Sequence, residues 1–405
     1  MLRPPSLGDR AQRSDDTLVV RRAGQRSLDL GRDVHALFGL VFDAITMDGA
    51  VRHLWHCART GRRCFLSTPN LNFAIGALTD PQFRGSVNRS DLSVADGMPV
   101  VWVAKWMGLP IRERVAGSDL FERLRRGHLG EDEKPMGVYF FGSMDGVAER
   151  ASQVLNAEQG PVRCVGFESP GFASVEEMSG EPTLQRINAS GAQFVMVAVG
   201  AKKGQVWIER NLARLNPPIV SYFGAVINFV AGEVARSPRL LRRLGLEWLW
   251  RIVQEPSLWR RYAGDGWSLA KILALRMLPY KIGRGVDLLR RRVHTAGQMH
   301  TQLSGTQATL LLSGRWTTAN LAPLRHEIAQ RLKAGLAVQL DLAAVTEVDS
   351  AFLGLALLLD HWQPATRALA NSPEFPRAVL RAIHVFGAES LLQSPASAVT
   401  FEVAK

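Results

Sequence analysis

The sequence predicts an α/β fold: a Rossmann-like, mainly parallel sheet with a basic helical appendage, followed by a smaller α/β domain. Three observations carry this prediction. From about Val41 to Tyr222, short apolar runs alternate with longer mixed segments. Most of the runs end at a glycine or a small polar loop. After a shift to His, Thr, Gly and Ser near residues 293–306, the strand–helix rhythm restarts. Continuous apolar strands are buried on both faces, as in a parallel sheet, and the segments between them are long enough for crossover helices.

The elements follow in order. Cys64-Phe65-Leu66 leads into Thr68-Pro69-Asn70, and Leu92-Ser93-Val94 leads into Asp96-Gly97. Val138–Phe141 ends at Gly142, Arg163–Val165 at Gly166, Phe194–Val199 at Gly200, and Pro218–Tyr222 before Phe223-Gly224. Helices are predicted over Met144–Glu158 and Val206–Leu215. No GxGxxG opens the series, which argues against a dinucleotide cofactor and a Rossmann oxidoreductase or methyltransferase. In the second domain, Ala308–Leu312 and Ala337–Asp341 are predicted strands, and Leu321–Ala334 and Ala351–His361 are predicted helices. The expected boundaries are a disordered extension over 1–33, the sheet domain over 34–230, a basic segment over 231–292, a linker over 293–306 and the second domain over 307–405.

Charge is concentrated. Of the net +12, residues 231–300 hold +9, from 14 Lys/Arg against 5 Asp/Glu, together with four of the ten tryptophans. Such a charge suggests an anionic partner. Leu241, Leu244, Trp248, Leu249 and Ile252 fall at helical spacing beside Arg242, Arg243 and Arg251. A basic helix with Trp and Leu on its other face suits an anionic membrane surface, and it is equally how an ordinary docked helix with a solvated face is built. No helix-turn-helix, zinc-finger or RNP pattern accompanies the charge, so nucleic acid is not the expected partner. No apolar run is long enough to span a bilayer, and the N-terminus lacks the apolar core of a signal peptide. Cys57, Cys64 and Cys164 form no CxxC and read as buried, inert thiols in a reducing compartment.

In an open α/β sheet, ligands bind beyond the carboxyl ends of the strands. Thr68, Asn70 and Asp96 are therefore candidates to face one crevice. Glycosyl transfer needs a base for the acceptor hydroxyl, positive charge for the leaving diphosphate and hydrogen-bond partners for the sugar. Asp96 fits the first need and Arg114 the second. Thr68 and Asn70 fit the third. Taken alone, an aspartate before glycine is also a common turn or cap residue.

Several blocks occur in one order: Thr68-Pro69-Asn70, Asp96-Gly97-Met98-Pro99-Val100, and Arg112–Leu120 with Gly108 ahead of it. Gly200 with Trp207-Ile208 and Asn211 follows, then Gly224 with Phe229–Glu233 and Arg236-Ser237-Pro238, then Gly245–Trp248, Arg251, Glu255-Pro256 and Arg261-Tyr262. In order and spacing, from about Leu40 to Tyr262, they resemble the WecG/TagA/CpsF glycosyltransferases. The resemblance implies an inverting transferase without a required metal or other cofactor. It would move a sugar from a nucleotide donor, a UDP-sugar, to an undecaprenyl-diphosphate-linked acceptor in exopolysaccharide or cell-surface polysaccharide synthesis. Asp96 would be the base, Thr68 and Asn70 pocket residues, and Arg114 a diphosphate contact. The basic segment would bring the enzyme to the cytoplasmic face of the membrane. One block departs: the family's Gly-x-Pro-Lys-Gln-Glu reads Gly200-Ala201-Lys202-Lys203-Gly204-Gln205 here. Lys203 keeps its place as a substrate contact, and Gln205 is the candidate to replace the missing glutamine. Asn228 stands where the family has Asp. These changes keep a second reading open, a non-catalytic scaffold built on a degenerate transferase.

In the second domain, Val338–Val348 followed by Asp349-Ser350-Ala351-Phe352 resembles the STAS domain of anti-sigma-factor antagonists. A serine there can cap a helix. The resemblance implies a regulatory module with a protein partner or kinase, and Ser350 as the phosphoacceptor.

Overall fold

The computed structural model describes residues 16–21, 27–127, 134–234, 237–238, 241, 245–289, 295–363, 365–370 and 375–393. The fold divides into two compact units. One runs from Asp43 to Ala270 and also takes in Arg22–Ser27; the other gathers Ser14–Arg21, Leu28–Phe42 and Lys271–Lys405.

In chain order the strands are β1 Val19–Arg21, β2 Ser27–Asp29, β3 Val34–Leu37, β4 Leu40–Asp43, β5 Cys64–Ser67, β6 Leu92–Ser93, β7 Met136–Gly142, β8 Val162–Glu168, β9 Phe194–Ala198 and β10 Ile219–Tyr222, then β11 Gln298–Ser304, β12 Gln307–Trp316 and β13 Ala337–Val348. The first unit is a six-stranded parallel sheet of order β6-β5-β10-β9-β7-β8. Alternate residues of each strand serve opposite faces. Cys64, Leu66, Val138, Phe140, Phe194 and Met196 join one core, while Phe65, Tyr139, Phe141, Val195, Val197 and Val220 join the other. Both faces are covered, which is why the strands read as unbroken apolar runs.

Some ends differ from expectation: β13 runs seven residues beyond the predicted end at Asp341. The predicted helix Val206–Leu215 runs over Ala201–Asn211, because Gly200 (φ 92°) turns the chain straight from β9 into the helix. The basic segment forms helices Glu247–Gln254 and Trp259–Ile272, a π turn over Leu273–Met277 and a helix over Leu278–Leu289. Ala270 is the last of these residues to belong to the first unit. Among the described residues no helix is long and apolar enough to cross a membrane.

The second unit holds a mixed sheet, with β11 antiparallel to β12 and β12 parallel to β13. Two expectations need correction. The stretch proposed as a linker includes β11, a largely exposed edge strand whose polar residues leave no apolar pattern to read. The stretch proposed as disordered includes β1 and β2, and residues 34–42, assigned to the sheet domain, pack in the second unit. There β3 lies against the buried helix Ser350–Trp362, and a Cβ on Gly354 would come within 3.1 Å of the Val34 and His35 backbone. Arg325 donates to the Leu30 carbonyl at 2.8 Å, and Gly39 donates to Phe386 at 2.8 Å. These are long-range contacts, and no local pattern announces them.

Candidate active site

Four elements meet beyond the carboxyl ends of β5, β6 and β10. After β5, Thr68 is buried, and Asn70 accepts the Phe73 N–H at 3.1 Å, capping helix Leu71–Thr79. After β6, the Asp96 amide donates to the Pro69 carbonyl at 3.0 Å, which ties the two loops together. Gly97 has φ +103°, a conformation that needs glycine, and a Cβ there would lie 3.6 Å from that of Asn70. The chain then returns alongside β6, where Val115 donates to Ala95 at 2.9 Å. Glu113 of this return accepts the Met47 N–H at 2.5 Å.

Asp96 accepts a hydrogen bond from the amide of Gly117, the first residue of helix Gly117–Arg125. Burial pushes its pKa from the usual value up to about 6. The charge of Arg114 opposes this most, Glu247 adds to it, and Arg251 opposes it. Arg114 forks between Asp119 at 2.5 Å and Glu247 at 2.6 Å, and these acids hold its pKa above the ordinary arginine value despite burial. Gly245 brings the chain close enough for this: a Cβ there would sit 2.3 Å from Met98. On the β10 side, Phe223 packs on Gly117, where a Cβ would lie 3.0 Å from its ring. Burial also raises the pKa of Tyr222, against the charges of Arg251 and Arg261. The arrangement is one raised carboxyl between guanidiniums and a helix N-terminal amide. It can accept a proton while the cations meet an anionic group.

Thr68, Asn70, Asp96 and Arg114 are thus brought together. Lys203 and Gln205 are not. Lys203 donates to the Ala173 carbonyl at 3.1 Å, in the segment after β8 at the far edge of the sheet. Gln205 is buried and donates to Ser67 Oγ at 2.9 Å, beneath the Thr68 loop. One residue of offset turns it about 100° around the helix from the family's glutamine position, and its buried Oε1 has no hydrogen-bond partner among the described residues. The other departures have partners too. Lys202 pairs with Asp80, Gly204 leaves room for the Tyr222 ring, and Asn228 accepts a hydrogen bond from Ser143 at 2.7 Å. Glu247, Arg251 and Tyr222 were missed as site residues. Glu247 and Arg251 stood in the quoted blocks, but nothing local in the sequence shows which charge faces Asp96.

In the second unit Ser350 is buried, and its Oγ is 2.9 Å from His35 Nδ1, while His35 Nε2 is 3.2 Å from Asp33. Asp349, rather than Ser350, caps the helix: its Oδ1 accepts the Ala351 and Phe352 amides, both at 3.0 Å.

Residues 35–282 match the glycosyl transferase WecG/TagA/CpsF family model. The chain belongs to this family. It is a glycosyltransferase, and residues 299–393 match a second model, the MlaB STAS domain. A similar relative is the N-acetylglucosaminyldiphosphoundecaprenol N-acetyl-beta-D-mannosaminyltransferase of Bacillus spizizenii. It is 26% identical over 197 residues, which cover 49% of this chain and 74% of the relative. The family match takes in the whole Asp96–Arg114–Glu247 constellation.

Proposed function

We propose that this family member transfers a sugar from a nucleotide donor, a UDP-sugar, to an undecaprenyl-diphosphate-linked saccharide for an exported polysaccharide. Asp96 takes the proton of the acceptor hydroxyl as its oxygen bonds to the anomeric carbon. The bond from that carbon to the nucleoside diphosphate breaks on the opposite side, which inverts the centre. Arg114 and Arg251 meet the charge that develops on the departing diphosphate. Thr68 and Asn70 line the sugar side. The observation that carries this reading is the Asp96 carboxyl, raised to about 6 between Arg114 and the Gly117 amide. A base with that pKa is ionised at neutral pH yet still basic enough to work.

An anionic membrane surface would present the acceptor. In support, Trp259, Trp267, Leu249 and Val253 of the appendage are exposed, and helix Glu247–Gln254 buries none of its residues. The enzyme would then act peripherally, on the inner face of the cell membrane. The STAS-like domain would recruit or regulate through a protein partner. The scaffold reading is weakened, because Lys202 pairs with Asp80 and Gly204 makes room for the Tyr222 ring, so the altered block still folds as a packed helix start.

The test is UDP release from a panel of UDP-sugars with a lipid-diphosphate-disaccharide mimic, and Asp96→Ala as control. Release that needs both acceptor and Asp96 is expected. Folded protein that releases nothing with any donor at an anionic membrane surface would overturn the proposal in favour of the scaffold.

A further inference from the structure

Away from the candidate active site, three soft donors converge in the core of the first unit. His53 and Cys57 lie on helix Met47–Thr60, four residues apart and so stacked on one face. The helix ends at Gly61, with φ +70°, and the chain returns as β5, whose first residue is Cys64. The ligand atoms of His53, Cys57 and Cys64 all lie within 4.8 Å of one another. Both cysteines are fully buried, and His53 is half-buried. Among the described residues, this is the one group whose donors meet in this way.

We propose that His53, Cys57 and Cys64 bind a thiophilic divalent cation of the zinc class. The donor set decides the class. Two sulfurs and one imidazole suit zinc and exclude magnesium and calcium, which take oxygen ligands. Zinc bonds of about 2.3 Å to sulfur and 2.0–2.1 Å to nitrogen put tetrahedral ligand atoms roughly 3.4–3.8 Å apart. Closing the observed cluster onto a cation therefore takes shifts of about 1 Å or less, within the reach of side-chain rotation.

Charge points the same way. Two thiolates and a divalent cation sum to zero, and a neutral site is the form an apolar core tolerates. Both cysteines belong to such a core, among Leu54, Leu66 and Leu92. Water would take the fourth position on the half-exposed His53 side, as in three-ligand zinc sites.

The location suggests what the cation does. It would clamp the helix to β5, the strand that leads into Thr68. Asp43, whose charge reaches His53, accepts the Ser93 amide of β6 at 2.7 Å. Cys64 opens β5, so loss of the cation would loosen the strand that delivers Thr68.

The experiment is titration of the full-length, reduced, metal-free chain with Co²⁺, read by near-ultraviolet thiolate-to-cobalt charge-transfer absorption. One equivalent should produce the band, and Zn²⁺ should displace it. Cys57→Ser and Cys64→Ala should each abolish the band, His53→Ala should weaken binding at least tenfold, and Cys164→Ser should leave it intact. Thermal melts of the metal-free variants within a few degrees of the parent would establish that they fold. Zn²⁺ should raise the melting temperature of the parent and not of Cys57→Ser. Absence of the band, or a band that survives Cys57→Ser or disappears with Cys164→Ser, would overturn the proposal. These readouts do not depend on transferase activity, so the site stands or falls apart from the proposed reaction.

Discussion

Replacing Asp96 by Asn should slow transfer severely and yet stabilise the first unit. The carboxyl pKa is about 6 in the folded chain, against an ordinary value of 3.8. Folding therefore takes up protons between those two values. By linkage, stability falls as pH rises from about 4 to about 6 and stays lower above that window. A shift of roughly two pH units corresponds to at most about 3 kcal/mol, and local relaxation lowers this to about 1–3 kcal/mol. Asn is neutral at every pH and can still accept the Gly117 amide, so it removes this cost. Denaturant unfolding of the parent and Asp96→Asn should give equal stabilities near pH 4 and a growing advantage for Asn through pH 6. At pH 8 the variant should lead by about 1–3 kcal/mol. Its transfer rate should fall by a factor of roughly 10²–10⁴. A pH-independent difference, or a parent that is the more stable protein at pH 8, would refute the electrostatic argument for Asp96.

Four further outcomes are expected. Glu247→Gln removes a charge that raises the Asp96 pKa, so the acid limb of the pH–rate profile should move to lower pH; movement upward would contradict the geometry. Gly245→Ala would force a Cβ against Met98 at a φ of +73°, and the unfolding midpoint should fall by the equivalent of about 1–3 kcal/mol. Ser350→Glu would bury a carboxylate where Ser350 now meets His35, so the second unit should lose several kcal/mol, against about 1 kcal/mol for Ser350→Ala, both measured by hydrogen exchange of helix Ser350–Trp362. Arg260→Ala should weaken binding to anionic vesicles about fivefold, or roughly 1 kcal/mol, and the difference should disappear in high salt.

Much of the first unit was legible because its strands are buried on both faces and its loops carry the chemistry. Val138–Phe141 and Phe194–Val199 announced themselves as apolar runs, and Asp96 and Arg114 stood in blocks whose resemblance to a transferase family implied their roles. β11 was not legible, since an exposed edge strand buries nothing and needs no hydrophobic period. The helix starting at Ala201 was placed five residues late because its N-terminus is set by the backbone turn at Gly200 rather than by a capping side chain.

What the sequence by itself determined is the architecture of alternating strands and helices, the concentration of basic charge, and the residue types available for catalysis. Those follow from local pattern, where each residue reports on its own neighbours. Only the tertiary structure decided that Glu247 clamps Arg114 and raises Asp96, that Gln205 donates to Ser67, and that His35 covers Ser350 from more than three hundred positions away. Distance along the chain carries no information about such pairs. Burial and charge act through space, and the fold sets which groups they bring together.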